Sequence, residues 1–141
     1  MRHWLIKEEP SHYSWDDLVK DGWTVWDGVR SHMAKFHLAA MAPDDLLLFY
    51  HSVSEKAVVG VARVRRERFP DPTDEAWIAV EVEPVRRLER PVTLAEIRAD
   101  PLLSQMVMAR QSRLSVSPVT PEQFDRILEL AAGDRPGTPT P

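Results

Sequence analysis

The chain has 141 residues, the size of one domain with a substantial hydrophobic core. Its 22 acidic and 18 basic side chains give a formal charge of −4, which excludes binding to duplex nucleic acid by bulk charge. It has no cysteine, which excludes a disulfide framework, a cysteine-ligated zinc site and a cysteine nucleophile.

The sequence shows no sign of a membrane segment. No apolar run approaches the length of a bilayer-spanning helix, and the apolar stretch after Met1 is too short for a signal peptide. The lack of cysteine is compatible with a reducing compartment. We therefore expect a cytoplasmic protein with no membrane partner, associated with the nucleoid if it is bacterial.

The first predicted strand covers residues 2–7, whose side chains alternate in character, and it ends before Pro10. Ser14 has the chemistry of a helix cap, and the short helix that it opens ends near Gly22. Residues 23–27 are aromatic and β-branched, which predicts extended backbone.

A helix is predicted over residues 30–41, and its apolar face would hold Met33, Phe36 or His37, Ala40 and Met41. The apolar run 46–52 predicts a central strand buried on both faces. Two long alternating segments, 57–69 and 76–88, predict neighbouring antiparallel strands joined by a loop over 70–74.

The last third of the chain is predicted to contain two helices and a strand. A capping box at Thr93 opens a short helix to Ala99, residues 102–112 remain ambiguous, and residues 113–119 look extended. Thr120 caps a final amphipathic helix with Phe124, Ile127, Leu128 and Leu130 on its apolar face. We assign residues 1–132 to one domain and residues 133–141 to a disordered tail.

These elements predict an α+β fold with five or six mostly antiparallel strands. An open sheet of this size must cover or close its edges. A PUA-like mixed, mostly antiparallel β-barrel with small surrounding helices fits this requirement.

Residues 26–30 (WDGVR) combine an aromatic face, a carboxylate, a turn glycine and a guanidinium. This combination is typical of the mouth of a pocket for a flat polar ligand such as a nucleobase, and a core Trp26 beside a turn is the plain alternative. A flipped base is held by aromatic stacking and by hydrogen bonds to its polar edge. Side chains at other element ends would line the same cavity if the fold brings them together: Lys7, Glu9, Trp15, His51 and Ser52.

Other polar groups give weaker signals. The arginines at 63, 65, 66 and 68 are expected to pair with acidic residues across strands, whereas Arg110 and Arg113 lie outside regular structure, where binding residues concentrate. The chain has no glycine-rich phosphate loop, and the spacing of His32 and His37 does not suit a metal site. We predict no metal and no cofactor.

Six segments, in order along the chain, resemble the EVE domain family, and the resemblance spans residues 3–131. The segments are 4–10 (WLIKEEP), 13–18 (YSWDDL), 26–30 (WDGVR), 48–52 (LFYHS), 59–62 (VGVA) and 113–119 (RLSVSPV). The resemblance implies a PUA-like barrel related to YTH and ASCH domains. It also implies a non-catalytic reader of a modified base in nucleic acid. The implied base is a modified cytosine in DNA, such as the 5-methyl or 5-hydroxymethyl form, or a base in modified RNA.

The resemblance also implies roles for individual residues. Trp26 would be a stacking wall, with Lys7, Glu8 and Glu9 lining the pocket from the first strand. Asp27 and Ser31 would meet the base edge. The remaining implied contacts are His51 and Ser52 at the closed end of the site, and Arg30, Arg110 and Arg113 on the flanking backbone.

Two residues depart from the family pattern. Glu8 stands where Ser or Thr is usual, and Ser31 stands where Asn is usual, so we expect a shifted base preference. The main alternative is an ASCH-like amidohydrolase acting on a modified cytidine, in which Lys7 would work with Glu8 or Glu9. Two adjacent acids would raise the pKa of Lys7, which argues against that use. A third interpretation is an interaction module whose Trp residues are all core. Protein partners are not predicted.

Overall fold

A computed structural model describes residues 1–133 and contains one six-stranded sheet. The strands are β1 (His3–Glu8), β2 (Thr24–Trp26), β3 (Leu46–His51), β4 (Ala57–Asp71), β5 (Asp74–Thr93) and β6 (Val116–Val119). They lie in the order β2-β5-β4-β3-β1-β6, with β1 and β3 parallel and the other neighbours antiparallel. The predicted α+β, mostly antiparallel class is confirmed, although within the described residues the edge strands β2 and β6 do not pair to close a barrel.

In the described part of the chain, five short helices and one 3-10 turn cover the sheet. They are α1 (Trp15–Asp21), α2 (His32–Ala40), α3 (Leu94–Ala99), α4 (Val107–Arg110) and α5 (Pro121–Ala131), with the 3-10 turn at Leu103–Gln105. Four of these helices begin at a side-chain cap, formed by Ser14, Ser31, Thr93 and Thr120. These caps satisfy backbone N–H groups that a helix start leaves without a partner. Within residues 1–133, no helix is long and apolar enough to span a bilayer.

The sheet separates two hydrophobic cores. The core under α1 and α2, which we call the aromatic core, contains Trp4, Ile6, Trp15, Trp26 and Phe49. The core under α3, α4 and α5, which we call the aliphatic core, contains Leu5, Leu48, Tyr50, Met106 and Phe124. Successive strand residues enter opposite cores because side chains alternate along a strand. The prediction that the run 46–52 is buried on both faces is confirmed for β3.

The structure corrects two predicted elements. The loop predicted over 70–74 is shorter, since β4 continues to Asp71 and β5 begins at Asp74. The ambiguous segment 102–112 contains the 3-10 turn and α4. Of the predicted tail, only Gly133 lies within the described residues.

The predicted apolar face of α2 is wrong for two of its members. Met33 is 53% exposed and Phe36 is 67% exposed, whereas Ala34 and Leu38 are fully buried. The 34, 38 and 41 spacing is also one face of a helix, and this face meets the sheet, with Met41 at 3% exposure. A small alanine in the middle of the contact lets the helix lie close to the rings of the aromatic core.

Three of the four β4 arginines pair across strands as predicted, whereas Arg68 donates to the Ala39 carbonyl at 3.2 Å. Arg63 contacts Glu83 at 3.0 Å, and Arg65 and Arg66 contact Glu81 at 2.9 and 3.6 Å. Two carboxylates thus offset about half of the charge of the four arginines.

Candidate functional site

The predicted pocket residues lie at one end of the sheet but do not share one cavity. Lys7 and Glu8 end β1 and project to opposite faces. Glu8 follows Trp4 and Ile6 onto the side of the aromatic core, and Lys7 follows Leu5 onto the side of the aliphatic core. The expectation of a single pocket is therefore corrected by the alternation of the strand itself.

The first cavity, which we call the acidic cavity, has a volume of about 430 Å³. Its lining is Glu8, His12, Tyr13, Trp23, Thr24, Val25, Trp26 and Asp27. The indole of Trp26 is 6% exposed, and its ring meets Tyr13 and Phe49 edge to face, with centroids 6.3 and 5.6 Å away. The Tyr13 phenol donates to Asp21 at 2.8 Å, and burial raises the pKa of Tyr13 to about 12. The phenol therefore stays neutral at ordinary pH.

The Glu8 carboxylate is held in a fixed orientation at this cavity. One oxygen accepts the Glu9 N–H at 2.9 Å, and the other lies 3.1 Å from Nδ1 of His12. The hydrogen bond to Glu8 raises the pKa of His12. The cavity is therefore lined by a carboxylate of defined orientation and by the imidazole that pairs with it.

A buried carboxylate organises the turn that carries Asp27. Asp71 accepts hydrogen bonds from the Gly28 N–H at 2.9 Å, from the Thr73 N–H and hydroxyl at 2.7 and 2.6 Å, and from Arg30 at 3.0 Å. Burial alone would raise the pKa of Asp71, but these hydrogen bonds lower it well below its usual range. Gly28 has a φ of 77°, a conformation that glycine adopts without strain.

The Arg30 guanidinium is largely engaged at this turn. It donates to Asp71 and, at 2.8 Å, to the Thr73 hydroxyl, and it lies 5.7 Å from the centroid of Trp77. These contacts tie Arg30 to the β4–β5 turn through Asp71 and Thr73. Its predicted contact with a nucleic-acid backbone stays a prediction.

The second cavity, which we call the basic cavity, has a volume of about 540 Å³ on the other face. Its lining is Lys7, Tyr50, Ser52, Val53, Lys56, Leu94, Arg98, Met108 and Ser112. Lys7 Nζ donates to the Ser112 carbonyl at 3.0 Å and lies 5.6 Å from the centroid of the Tyr50 ring.

Burial lowers the pKa of Lys7. The expectation that the adjacent acids raise this pKa is therefore wrong. Glu8 is on the other face of the strand, and Glu9 is exposed beyond its end.

A third cavity of about 440 Å³, which we call the loop cavity, lies between α2 and the segment before β6. It is lined by Ser31, Met33, Arg110, Gln111, Ser112, Arg113 and Leu114. Ser31 caps α2 by accepting the Ala34 N–H at 3.3 Å. The structure thus brings Ser31, Arg110 and Arg113 together, but in a cavity whose lining does not include Trp26.

Two predicted pocket residues are interior. Trp15 is 1% exposed and packs edge to face on Phe49, and a Cβ built on Gly60 would lie 2.6 Å from its ring. Its placement in a pocket wall is therefore wrong, because a ring of this size fills the aromatic core. His51 is 8% exposed; its Nε2 accepts the Trp15 N–H at 3.1 Å and its Nδ1 lies 2.5 Å from Glu55. His51 thus anchors the start of α1.

Sequence reasoning missed several lining residues. His12 and Tyr13 follow β1 closely, and the four-residue spacing from Glu8 to His12 was the available signal. Lys56 and Arg98 gave no signal, because their position depends on how β3, β4 and α3 meet. Within residues 1–133, no group of three or more His, Asp or Glu side chains is placed to hold a metal ion.

Comparisons with known proteins give a consistent result. Residues 2–130 match the family model described as the EVE domain. Thymocyte nuclear protein 1 of chicken is 33% identical in an alignment 165 positions long, gaps included, which covers 91% of this chain and 68% of that protein. The solved structure of Rpa0253 from Rhodopseudomonas palustris is 41% identical, with a TM-score of 0.89 and 94% coverage of both chains.

Human THYN1, solved in complex with DNA that contains 5-methylcytosine, is 30% identical, with a TM-score of 0.88. The match covers 96% of this chain and 100% of that chain. The ASCH protein of Zymomonas mobilis is 11% identical with a TM-score of 0.60, a likeness of fold alone.

Proposed function

This chain belongs to the EVE domain family, and from that premise we propose that it binds a modified cytosine in DNA and holds the base in the acidic cavity. Two observations support this. The human relative was solved with DNA that contains 5-methylcytosine. In this chain an indole and two carboxylate residues, Trp26, Glu8 and Asp27, line one cavity of a size that suits a small ligand. The presence of these three groups in one cavity is the observation that carries the proposal.

The acidic lining favours cytosine over thymine. Cytosine presents an exocyclic amine, which donates to a carboxylate, whereas thymine presents a carbonyl oxygen at the same position. A well-placed contact of this kind is worth about 1 to 3 kcal/mol of discrimination. The rings of Trp26 and Tyr13, which meet edge to face in the lining, are proposed to contact the ring of the base. Thr24 and Val25 in the same lining supply methyl groups that suit a substituent at C5 of the base.

The fixed carboxylate of Glu8 is the feature in which this chain differs from the usual family pattern at the cavity. We propose that Glu8 sets the base preference, since its oxygens are already oriented by the Glu9 N–H and by His12. Ser31, the other departure, caps α2 at the loop cavity. Arg110 and Arg113 in that cavity, and Arg30 next to Ser31 in the sequence, are proposed to hold the DNA backbone that flanks the base.

The amidohydrolase alternative requires a lysine and a carboxylate at one site. Lys7 lines the basic cavity and Glu8 lines the acidic cavity, so this pair is divided by the strand that carries it. The burial that lowers the pKa of Lys7 is the one observation in favour of the alternative. Release of ammonia or acid from modified cytidines would identify such an enzyme.

A bacterial member of the family that reads DNA would act in the cytoplasm, at the nucleoid.

The experiment that tests the proposal is a binding titration with labelled duplexes that differ at one base. The base is cytosine, 5-methylcytosine, 5-hydroxymethylcytosine or thymine, and an RNA series carries cytosine, 5-methylcytosine or N4-acetylcytosine. The proteins are wild type, Trp26→Phe, Trp26→Ala and Glu8→Gln. Trp77→Ala is the control, because Trp77 lines none of the three cavities.

We expect wild type to prefer a modified cytosine in DNA. Trp26→Ala should lose this preference, Trp26→Phe should keep part of it, and Trp77→Ala should retain it. Thermal unfolding of each variant separates lost binding from lost folding, because Trp26 is 6% exposed and contributes to packing. Equal affinity of wild type for all duplexes, or a preference that survives in folded Trp26→Ala, would contradict the proposal. A preference confined to the RNA series would replace DNA by RNA as the partner.

A further inference from the structure

Three cations that form no ion pair in the described part of the chain line the basic cavity together. Most arginines of residues 1–133 form ion pairs, namely Arg30, Arg63, Arg65, Arg66, Arg86, Arg87, Arg90 and Arg126. Lys7, Lys56 and Arg98 contact no carboxylate within the described residues, and all three line the basic cavity. In a chain of net charge −4, three unpaired cations around one cavity create a local positive field.

The rest of the lining suits an oxyanion. The hydroxyl residues Tyr50, Ser52 and Ser112 line the cavity, and no Asp or Glu does. Lys7 is half-buried, with its Nζ fixed between the Ser112 carbonyl and the ring of Tyr50. Burial of an ammonium without a counterion is costly, and a bound anion would offset that cost.

The loop that forms the rim of this cavity is strained. Val53 and Lys56 have φ values of 72° and 51°, in the left-handed region that β-branched and bulky side chains avoid. Backbone contacts hold the loop there: the Ser52 N–H donates to the Glu8 carbonyl and the Leu94 N–H donates to the Lys56 carbonyl, both at 2.9 Å. Strain that the surroundings maintain is common at ligand sites.

We propose that the basic cavity is a phosphate-binding site, and that a phosphodiester of the DNA strand whose base enters the acidic cavity occupies it. The second clause rests on the proposed function. Lys7 and Glu8 are consecutive residues that line different cavities, so the end of β1 lies between the two cavities. A nucleotide that crosses this end presents its base to Glu8 and a phosphate to Lys7. The cations Lys56 and Arg98 complete the contact from β4 and α3.

The test uses the full chain with Arg98→Gln and Lys56→Asn, since Asn tolerates the left-handed backbone at position 56. Arg86→Gln is the matched control, because it removes the same charge from an exposed residue outside the three cavities. The first readout is the dependence of duplex affinity on salt concentration. The second is the ratio of affinities for the 5-methylcytosine and cytosine duplexes. A duplex series with one uncharged methylphosphonate at each linkage next to the modified base locates the contact.

We expect Arg98→Gln and Lys56→Asn each to make the salt slope shallower by about 0.9, the value for one lost phosphate contact, with binding about three- to tenfold weaker. Arg86→Gln should match wild type. A methylphosphonate at one linkage should weaken duplex binding by wild type but not by Arg98→Gln. The methylation ratio should be unchanged in all variants, because these cations do not touch the base.

The remaining outcomes are distinct. Two results together would overturn the phosphate site. The first is that the salt slopes of Arg98→Gln and Lys56→Asn equal that of Arg86→Gln. The second is that inorganic phosphate or dCMP causes no NMR shift of the Ser52 and Ser112 amides. If these amides shift but the salt slopes for duplex binding do not change, the cavity binds a free phosphate or phosphate ester rather than the DNA backbone. If Arg98→Gln and Lys56→Asn have shallower salt slopes but wild type does not prefer the 5-methylcytosine duplex, the phosphate site is supported and the proposed base cavity is not.

Discussion

The acidic and basic cavities differ in charge and lining, although the residues that define them, Glu8 and Lys7, are neighbours in the chain. The acidic cavity is walled by rings of the aromatic core and by a carboxylate that two hydrogen bonds orient. The basic cavity is walled by unpaired cations and a strained loop. One strand end thus separates a surface suited to a base from a surface suited to a phosphate. Because side chains alternate along a strand, two consecutive residues present different chemistry on the two faces of the sheet.

The largest expected effect tests which Trp residues belong to the core. Trp15→Ala should lower the free energy of unfolding by about 3 to 5 kcal/mol, because it empties a fully buried site. Trp23, which is 43% exposed, stacks on Arg65, and Trp23→Ala should cost about 1 kcal/mol or less. Urea unfolding measures both values. A small loss in Trp15→Ala would return Trp15 to the list of pocket residues.

The next effect tests the turn that supports the acidic cavity. Asp71→Asn should lower stability at pH 7 by about 2 to 3 kcal/mol, since a buried carboxylate that accepts charged and neutral hydrogen bonds is lost. Arg30 is the partner left without its carboxylate.

The same substitution should change the response of stability to acid. The pKa of Asp71 in the folded state is below its unfolded value of about 3.9. The contribution of ionised Asp71 to the free energy of unfolding is therefore fully present above a pH of about 3.9. It is lost as the pH falls toward the pKa of the folded state. Wild type should lose more stability than Asp71→Asn between pH 4 and pH 2, measured by urea unfolding at each pH. Parallel pH profiles for the two proteins would show that Asp71 is not held in this way.

A pair of neighbouring substitutions tests the division between the cavities directly. Glu8→Gln should lower the preference for cytosine bases over thymine by about 1 to 3 kcal/mol, because the amide presents a donor as well as an acceptor. Lys7→Gln should weaken binding to all duplexes by the same factor and make the salt slope shallower by about 1. The two effects are measured in one set of titrations at several salt concentrations. A change of base preference in Lys7→Gln would mean that both residues serve one cavity.

The smallest expected effect concerns the second departure from the family pattern. Ser31→Asn should change stability by no more than about 0.5 kcal/mol, because Ser and Asn are comparable helix caps. The ranking of bases should also stay the same, since Ser31 lines the loop cavity rather than the acidic one. Thermal unfolding and the duplex titration check the two parts. A shifted ranking would place Ser31 at the base and weaken the case for Glu8.

Several features followed from local chemistry and were predicted correctly. The caps at Ser14, Thr93 and Thr120 define helix starts because they depend on residues three positions apart. The apolar run of β3 indicated a strand buried on both faces. The pairing of the arginines of β4 with Glu81 and Glu83 also followed from cross-strand geometry.

The sequence by itself determined the α+β class, the helix caps, the central strand and the family, because each depends on short-range pattern or on ordered motifs. The tertiary structure decided which candidates meet. It placed Trp15 in the core and Trp26 at a cavity, although both are tryptophans at the ends of short elements, because only the packing of α1 onto Gly60 distinguishes them. It also brought Lys56 and Arg98 to Lys7 from distant parts of the chain. Convergence of this kind depends on strand order and sheet faces, which no local spacing records.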